Sequence, residues 1–511
     1  MSITHSRAGS LTKAGSIAGV ALLLGLGWDY LLYGKVPGLG FPLYIMLIAG
    51  GLLGLLAYFN KPVDRQTIWL LIPLGFFSLM VFVRSSELLT VLNIMACFLL
   101  LMLMARVSPA RRVRAFRVGH YLSLPFLPLK FVVPLFHTLS ELMGLRSGMK
   151  DQGVWSRVIR GTVMALPVLI VFLFLFASAD LVFQKLLSDL LRIEIAPETV
   201  VRSILVLLAS LVFAGGLSYV LGKPDEVTPA ERTGSRALGN LEASIVLGSI
   251  CVLFLVFILV QLTYLFGGES NIAAQGFTYA AYARKGFFEL IVVAVVSFAL
   301  LWGSDKFVAK TDGRNGLRFK ILSSALIIEV MLIMGSAFRR LVLYEEAYGF
   351  TTLRFYSHAF IVFLGVGFGL LLHKICRDRK ESALALGLVL LMVLFLAGMN
   401  GLNPEALIAR RNIERYASTG KVDGAYLSRL SEDAIPVTVQ LLDTADEDLK
   451  GSLARELYWR AVRADQPRYA RWQALNLSRR RADRILEPRL EELARYKDHP
   501  PVRVKSVAPL D

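Results

Sequence analysis

Along its first 400 residues the chain alternates between long apolar runs and short polar connections. A helix needs roughly 17 to 25 apolar residues to cross about 30 Å of hydrocarbon. Runs of that length lie near 14–33, 41–59, 67–84, 86–105, 160–182, 201–221, 241–266, 286–304, 319–341, 354–373 and 381–399. Inside a bilayer every backbone group must be bonded internally, which a helix achieves and an isolated strand does not. The pattern therefore predicts an all-α fold, a polytopic transmembrane helical bundle of about eleven spans over 1–399. Arg7 and Lys13 precede the first run, but no small-residue cleavage pattern follows, so it reads as an uncleaved anchor.

After residue 400 the period stays helical while the composition turns polar, which predicts a soluble α-helical domain over 400–511. Asn403 followed by Pro404 is an N-cap and first-turn proline, and Gly420 ends the helix that begins there. Further helix starts are expected at Ser431 and near Asp446, with an amphipathic stretch from Glu487 to Tyr496 and with Tyr458, Trp459 and Trp472 in the core.

The lysines and arginines orient the bundle. With the N-terminus in the cytoplasm, 26 basic residues lie on the inner side and ten on the outer, the imbalance that the positive-inside rule requires. Eleven spans then place 400–511 outside, as an extracytoplasmic domain carrying 20 basic and 17 acidic side chains. The loop 106–157 is cytoplasmic in this reading. Its segment 120–145 is apolar but broken by Pro125, Pro128 and Pro134, and it follows Arg111, Arg112, Arg114 and Arg117, so it is expected to lie in the interface on anionic lipid. Were it to cross, every later loop would invert.

Composition agrees with the pattern: 511 residues, 55% hydrophobic and a mean hydropathy of +0.58. The net charge of +17 is mostly a topology signal, and no aromatic-interleaved basic patch accompanies it, so nucleic acid is not an expected partner. Cys97, Cys251 and Cys376 lie in or beside spans, leaving the C-terminal domain without a disulfide. There is no zinc spacing, phosphate-cradling loop or nucleophile elbow, and neither a cofactor nor a metal is implied.

Ionisable side chains within spans carry the functional signal. Asp29, Asp180, Gln261, Glu289, Arg339 and Arg340 fall toward the outer ends of their helices, and Glu329 near the midplane. In "EEAYGFTTLRFYSHAFIVFL", Gly349 breaks the chain, Thr351 or Thr352 caps a new helix, and Arg354, His358, Ile361 and Gly365 share one face. Arg354 is within reach of Glu345 or Glu346 across the turn. These groups either bind an anionic or sugar-like group at the outer leaflet or lock two helices together by ion pairs and caps.

In "GFTYAAYARKGFFEL", Tyr279, Tyr282, Gly286 and Glu289 share a face, as a second polar entry or as an aromatic belt. Asp29 and Asp180 sit where solvation or capping accounts for them, and His120, His137 and His373 read as structural. The pairs Gly15 with Gly19, Gly50 with Gly54 and Gly365 with Gly369 have the spacing for close helix approach.

The phrases "FASADLVFQKLL", "QLTYLFGG", "GFTYAAYARKGFFEL", "EEAYGFTTLRFYSHAFI", "NPEALIARRNIERY" and "YLSRLSEDAIP" run in order from about residue 175 to 440. In them the chain resembles bacterial polytopic membrane proteins with domain of unknown function 4173, related to the unknown-function family 4153. The resemblance implies a multi-pass protein of the bacterial cytoplasmic membrane with a helical tail, and supplies no substrate or catalytic residue. Three functions stay open. The expected one is a non-enzymatic envelope protein that senses or docks a periplasmic protein partner through 400–511, with membrane lipids around the bundle. The others are a transporter that uses Glu329 and the outer cluster, and an enzyme on a lipid-linked or anionic substrate that uses Arg354, His358, Glu345 and Glu289.

Overall fold

The computed structural model describes residues 2–107, 112–142, 180, 197–222, 239–265, 287–307, 314–463, 469 and 471–500, and every regular element among them is helical. The long helices are α1 (Ser2–Leu31), α2 (Gly40–Tyr58), α3 (Arg65–Val83) and α4 (Glu87–Arg106). Two short helices follow, α5 (Val118–Leu122) and α6 (Val132–Leu142), joined by a tight 3-10 segment, Leu124–Phe131. Next come α7 (Pro197–Leu221), α8 (Asn240–Leu265), α9 (Phe287–Phe307), α10 (Arg314–Tyr348), α11 (Thr352–Cys376) and α12 (Glu381–Leu402). Among the described residues ten helices have the length and composition to cross a membrane, and each corresponds to a predicted run. The eleventh, 160–182, lies outside the described residues apart from Asp180.

Buried apolar side chains divide the bundle in two. One cluster joins α1–α4 and α7 through Ile17, Leu24, Leu74, Phe77, Leu89 and Leu221. The other joins α8–α11 through Leu247, Leu301, Leu326, Ile333 and Phe368. Helix α12 bridges them, with Leu384 in the second cluster and Leu396 and Met399 in the first. The outward faces stay apolar, as in α8, where Val252, Leu253, Val256 and Leu259 are exposed, which is the pattern of a helix wetted by hydrocarbon.

The hairpins show which ends share a face. The ends of α1, α3 and α10 and the starts of α2, α4 and α11 lie beside the C-terminal domain, and the start of α7 is tied to the end of α1. At the opposite face, Lys13 and Lys61 donate to the Leu221 carbonyl that ends α7. Burial and the Lys13 charge hold the Lys61 ammonium below the usual lysine range. Lys320 pairs with Asp378 there, and buried Asp305 with Lys374. Asp29, expected to be solvated or capping, instead ties α1 to α7 through a two-pronged bond from Arg202, at 2.9 and 2.5 Å.

The segment 118–142 breaks into pieces too short to span. Leu122, Phe126, Leu129, Val133 and Phe136 are exposed, while Leu124, Leu127 and Phe131 turn inward. Tyr121, whose phenol burial pushes up to about 12, bonds the Val113 carbonyl at 3.2 Å.

The glycine pairs do not mark the close approaches. Gly15, Gly19, Gly50, Gly54 and Gly369 meet nothing within contact distance among the described residues, and Gly365 makes ordinary contact with methionine side chains. Backbones meet instead at Gly25, where an added β-carbon would lie 2.7 Å from the Val206 carbonyl, and at Gly215, where it would lie 2.6 Å from that of Phe131. Spacing alone does not say which stripe of a lipid-bathed helix faces protein.

The C-terminal domain begins where Asn403, at φ 51°, turns α12 into α13 (Pro404–Thr419), which Gly420 ends as expected at φ 65°. Asn403 acts through its left-handed backbone; its side chain makes no capping bond. The short α14 (Gly424–Leu427) and α15 (Ile435–Thr438) lead to α16 (Glu447–Arg463), α17 (Leu477–Leu486) and α18 (Leu490–Ala494). Asp446 caps α16, as predicted, by accepting from the Leu449 amide at 2.9 Å. The core is aliphatic, built from Ile408, Leu427, Ile435, Leu441, Leu453, Leu457, Leu486 and Leu493. Contrary to expectation, Trp459 and Trp472 are exposed by 42% and 46%, and Tyr458 packs only at the core's edge; aliphatic side chains fill the small space between short helices without a polar edge to satisfy.

Gly215→Ala should destabilise the bundle by about 1 to 3 kcal/mol, because the new methyl group meets backbone that cannot move aside. Gly50→Ala should be near neutral, and thermal unfolding of the two variants in detergent measures the contrast.

Candidate functional site

A helix leaves its first four N–H and last four C=O groups without partners. At the end of a span those groups must find water, headgroups or protein. On one face of this bundle six helix ends find the C-terminal domain.

The α3–α4 hairpin is the most deeply engaged. Asp433, on the loop before α15 and 4% exposed, accepts from the amides of Ser85 and Ser86 at 2.8 and 3.0 Å and from the Ser85 hydroxyl at 3.2 Å. Its backbone N–H donates back to that hydroxyl at 3.0 Å. A carboxylate from the domain thus caps the N-terminus of α4, where the helix dipole favours negative charge. The Ser478 hydroxyl bonds the other carboxylate oxygen, and Arg84 stands 3.6 Å from it.

Asn476 takes the last carbonyls of α3, Val81 at 3.1 Å and Arg84 at 2.8 Å, and Ser478 lies 2.9 Å from that of Val83. Arg84 itself donates to the Asn400 carbonyl near the end of α12 at 2.9 and 2.5 Å. Below it the amides of Asn93 and Asn400, both fully buried, exchange reciprocal bonds of 2.9 and 2.8 Å.

The α10–α11 hairpin is held in the same manner. Gly349 has φ 82°, a left-handed turn that favours glycine. A β-carbon there would lie 2.7 Å from the Asn412 side-chain oxygen. Asn412, on α13, accepts from the Phe350 amide at 2.9 Å and donates to its carbonyl at 2.8 Å. Arg415 donates to the Glu346 and Ala347 carbonyls at 3.3 and 2.8 Å, a cation at the C-terminus of α10. The Thr352 amide at the start of α11 donates to the Tyr426 phenol oxygen at 2.6 Å.

The α1–α2 hairpin completes the set. Gln473 donates to the Tyr30 carbonyl at 3.2 Å, the Leu39 amide donates to the Leu475 carbonyl at 2.8 Å, and Trp472 lies 6.3 Å from the Tyr30 ring.

The acid–arginine–histidine turn picked out in the sequence lies within this seam. Thr351 caps α11, as expected, by accepting from the Arg354 amide at 3.4 Å. Glu345, 5% exposed, has Oε2 3.3 Å from His358 Nδ1. The His358 ring packs on Phe338 at 4.4 Å, with Nε2 3.4 Å from the Phe338 carbonyl. Arg354 does not reach Glu345 or Glu346. It donates to the Gly349 carbonyl and stacks on Tyr344 at 4.0 Å, because the left-handed turn puts that carbonyl nearer than either carboxylate.

The remaining candidates scatter. Glu346, Arg339 and Glu289 are exposed, Glu289 in the first turn of α9. Asp180 is exposed, whereas Tyr279, Tyr282 and Gly286 lie outside the described residues. Arg340 is buried, and Glu329 is partly buried in the middle of α10. Among the described residues no three His, Cys, Asp or Glu side chains come together in a way that could hold a metal ion.

Sequence reasoning missed the residues that carry the seam. Asn93 and Asn400 were available as amides inside apolar runs. Asp433 gave no signal, because an acid beside Ser431 and Glu432 reads as helix-start solvation.

Residues 71–441 match the family model described as Domain of unknown function (DUF4153), which covers most of the chain. No curated protein and no solved structure matches it.

Asp433→Ala should strip the cap from α4 and leave Arg84 without its counter-charge, a loss on the order of 3 kcal/mol. Limited proteolysis should then cut the chain near residue 403 at protease levels that leave the wild type whole. Burial pushes the Tyr426 phenol above its ordinary value of 10.0, so its contribution to stability is complete below that pH and is lost as pH rises through the folded-state value. In alkaline melts wild-type protein should lose stability that Tyr426→Phe does not lose.

Proposed function

The chain belongs to the DUF4153 family, and we propose that this member is a bacterial cytoplasmic-membrane protein that docks or senses an envelope partner. Its N-terminus is cytoplasmic and residues 400–511 are periplasmic, which the 26 to ten distribution of basic residues supports. The C-terminal domain is a platform rather than a tethered arm. The observation that carries this reading is the seam: one domain closes six helix ends drawn from both halves of the bundle. A partner bound to the platform acts on both halves through those caps.

The domain offers exposed Arg480, Arg481 and Arg484 on α17, which favour an acidic partner surface. The closed pairing of Glu345 with His358 speaks for a locking role at that turn rather than for acid–base work on an outside substrate.

Fusions after Asp511 should give active alkaline phosphatase and dark green fluorescent protein; the reverse overturns the orientation. Changing Arg480, Arg481 and Arg484 together to Glu should reproduce the cellular phenotype of deleting 401–511, with protein level and protease resistance unchanged. Glu345→Gln and His358→Ala should leave that phenotype intact. If these two abolish function at normal protein level, the docking reading gives way to chemistry at the turn.

A further inference from the structure

The seam does not absorb Glu329. This residue stands midway along α10, with α8, α9 and α11 packed around that helix. Its Oε2 is enclosed and has no hydrogen-bond partner among the described residues. The titratable neighbour from α8 is Cys251, whose thiol lies close to the carboxyl. That thiol also points at the Leu322 carbonyl, 3.6 Å away. Helix α9 between 290 and 304 and helix α11 between 359 and 372 carry no ionisable side chain. No cation from α8, α9 or α11 therefore balances a carboxylate at this depth, and an ionised one with an unpartnered oxygen in hydrocarbon neutralises instead.

The surroundings are polar in one direction. Ser336 and Arg340 follow Glu329 at seven and eleven residues, on one stripe of α10 running toward the C-terminal domain. Ser336 donates to Gln261 Oε1 of α8 at 2.5 Å, and Gln261 Nε2 is enclosed with no partner among the described residues. Gln261, Ser336 and Arg340 are all more than nine-tenths buried. In the other direction the buried side chains include Phe319, Leu247 and Leu326 with the Ser323 hydroxyl, and beyond them Asp305 and Lys374 close the opposite face as an ion pair of their own.

We propose that Glu329 is a proton-binding site in the middle of the bundle, which loads and unloads toward the face that holds the C-terminal domain through the Gln261–Ser336–Arg340 stripe. The ligand is a proton, and the site is independent of the docking role.

A lipid-soluble carbodiimide tests it on the purified full chain. The carboxyl O–H gives its proton to a carbodiimide nitrogen while the oxygen adds to the central carbon, so the protonated acid alone reacts. Peptide mapping should place an adduct on Glu329 at mildly acidic pH that declines as the buffer is made alkaline, and that is lost in Glu329→Gln. No adduct at Glu329 in wild-type protein, or one that ignores pH, overturns the proposal, whether or not the variant folds. Gln261→Leu should slow several-fold the response of labelling to a rapid pH jump. A response as fast as wild type overturns the route.

Discussion

The structure depends on how membrane helices finish where hydrocarbon gives way to water. Asp433 is the hub of the solution: one buried carboxylate binds two amides at the start of α4, a hydroxyl from α17 and the charge of Arg84. Arg84 passes the connection to α12 through the Asn400 carbonyl, and Asn400 passes it to α4 through Asn93. A charge so deeply placed is tolerable only when every lone pair is used, so the hairpin, the bridging helix and the domain must be correct together. The domain can form an aliphatic core of its own, but the hairpin ends are complete only with the domain in place.

That dependence gives the two halves of the bundle a common boundary. They share α12 inside the membrane and the C-terminal domain at its edge, where Asp433 and Asn476 hold the first half and Asn412, Arg415 and Tyr426 the second. Separation of the halves at that face would leave buried N–H and C=O groups unsatisfied. A domain placed in this way is poorly suited to swing. The same geometry explains why the acids, arginine and histidine at Glu345–His358 draw inward: the domain covers the turn they occupy.

Helix α10 carries both features that invite function. Its middle holds a carboxyl in an apolar setting beside Cys251, and its end holds the Gly349 turn against Asn412. Between them runs the Gln261–Ser336 bond. The turn that the C-terminal domain closes and the proposed protonation site therefore lie on one helix, although each stands on its own observations.

Much of the architecture was legible because hydrocarbon imposes a length and a composition that any reading of the chain detects: ten spans, the turn at Gly349, the cap at Thr351 and the end of α13 at Gly420 were all in the sequence. The sequence also located Glu329, since a carboxylate in an apolar run is conspicuous. It could not tell which stripe of a span faces protein, because lipid and protein interior are alike apolar, so Gly15 and Gly50 looked like contacts and Gly25 and Gly215 did not. It could not pair Asp433 with Ser85, or Arg415 with the end of α10, because those partners lie hundreds or tens of residues apart and an isolated polar side chain beside a loop looks the same whether solvated or bonded. Local chemistry determined where each helix runs and stops; only the three-dimensional arrangement decided what meets its exposed ends, because satisfying a backbone group from outside its own helix is a property of neighbours in space.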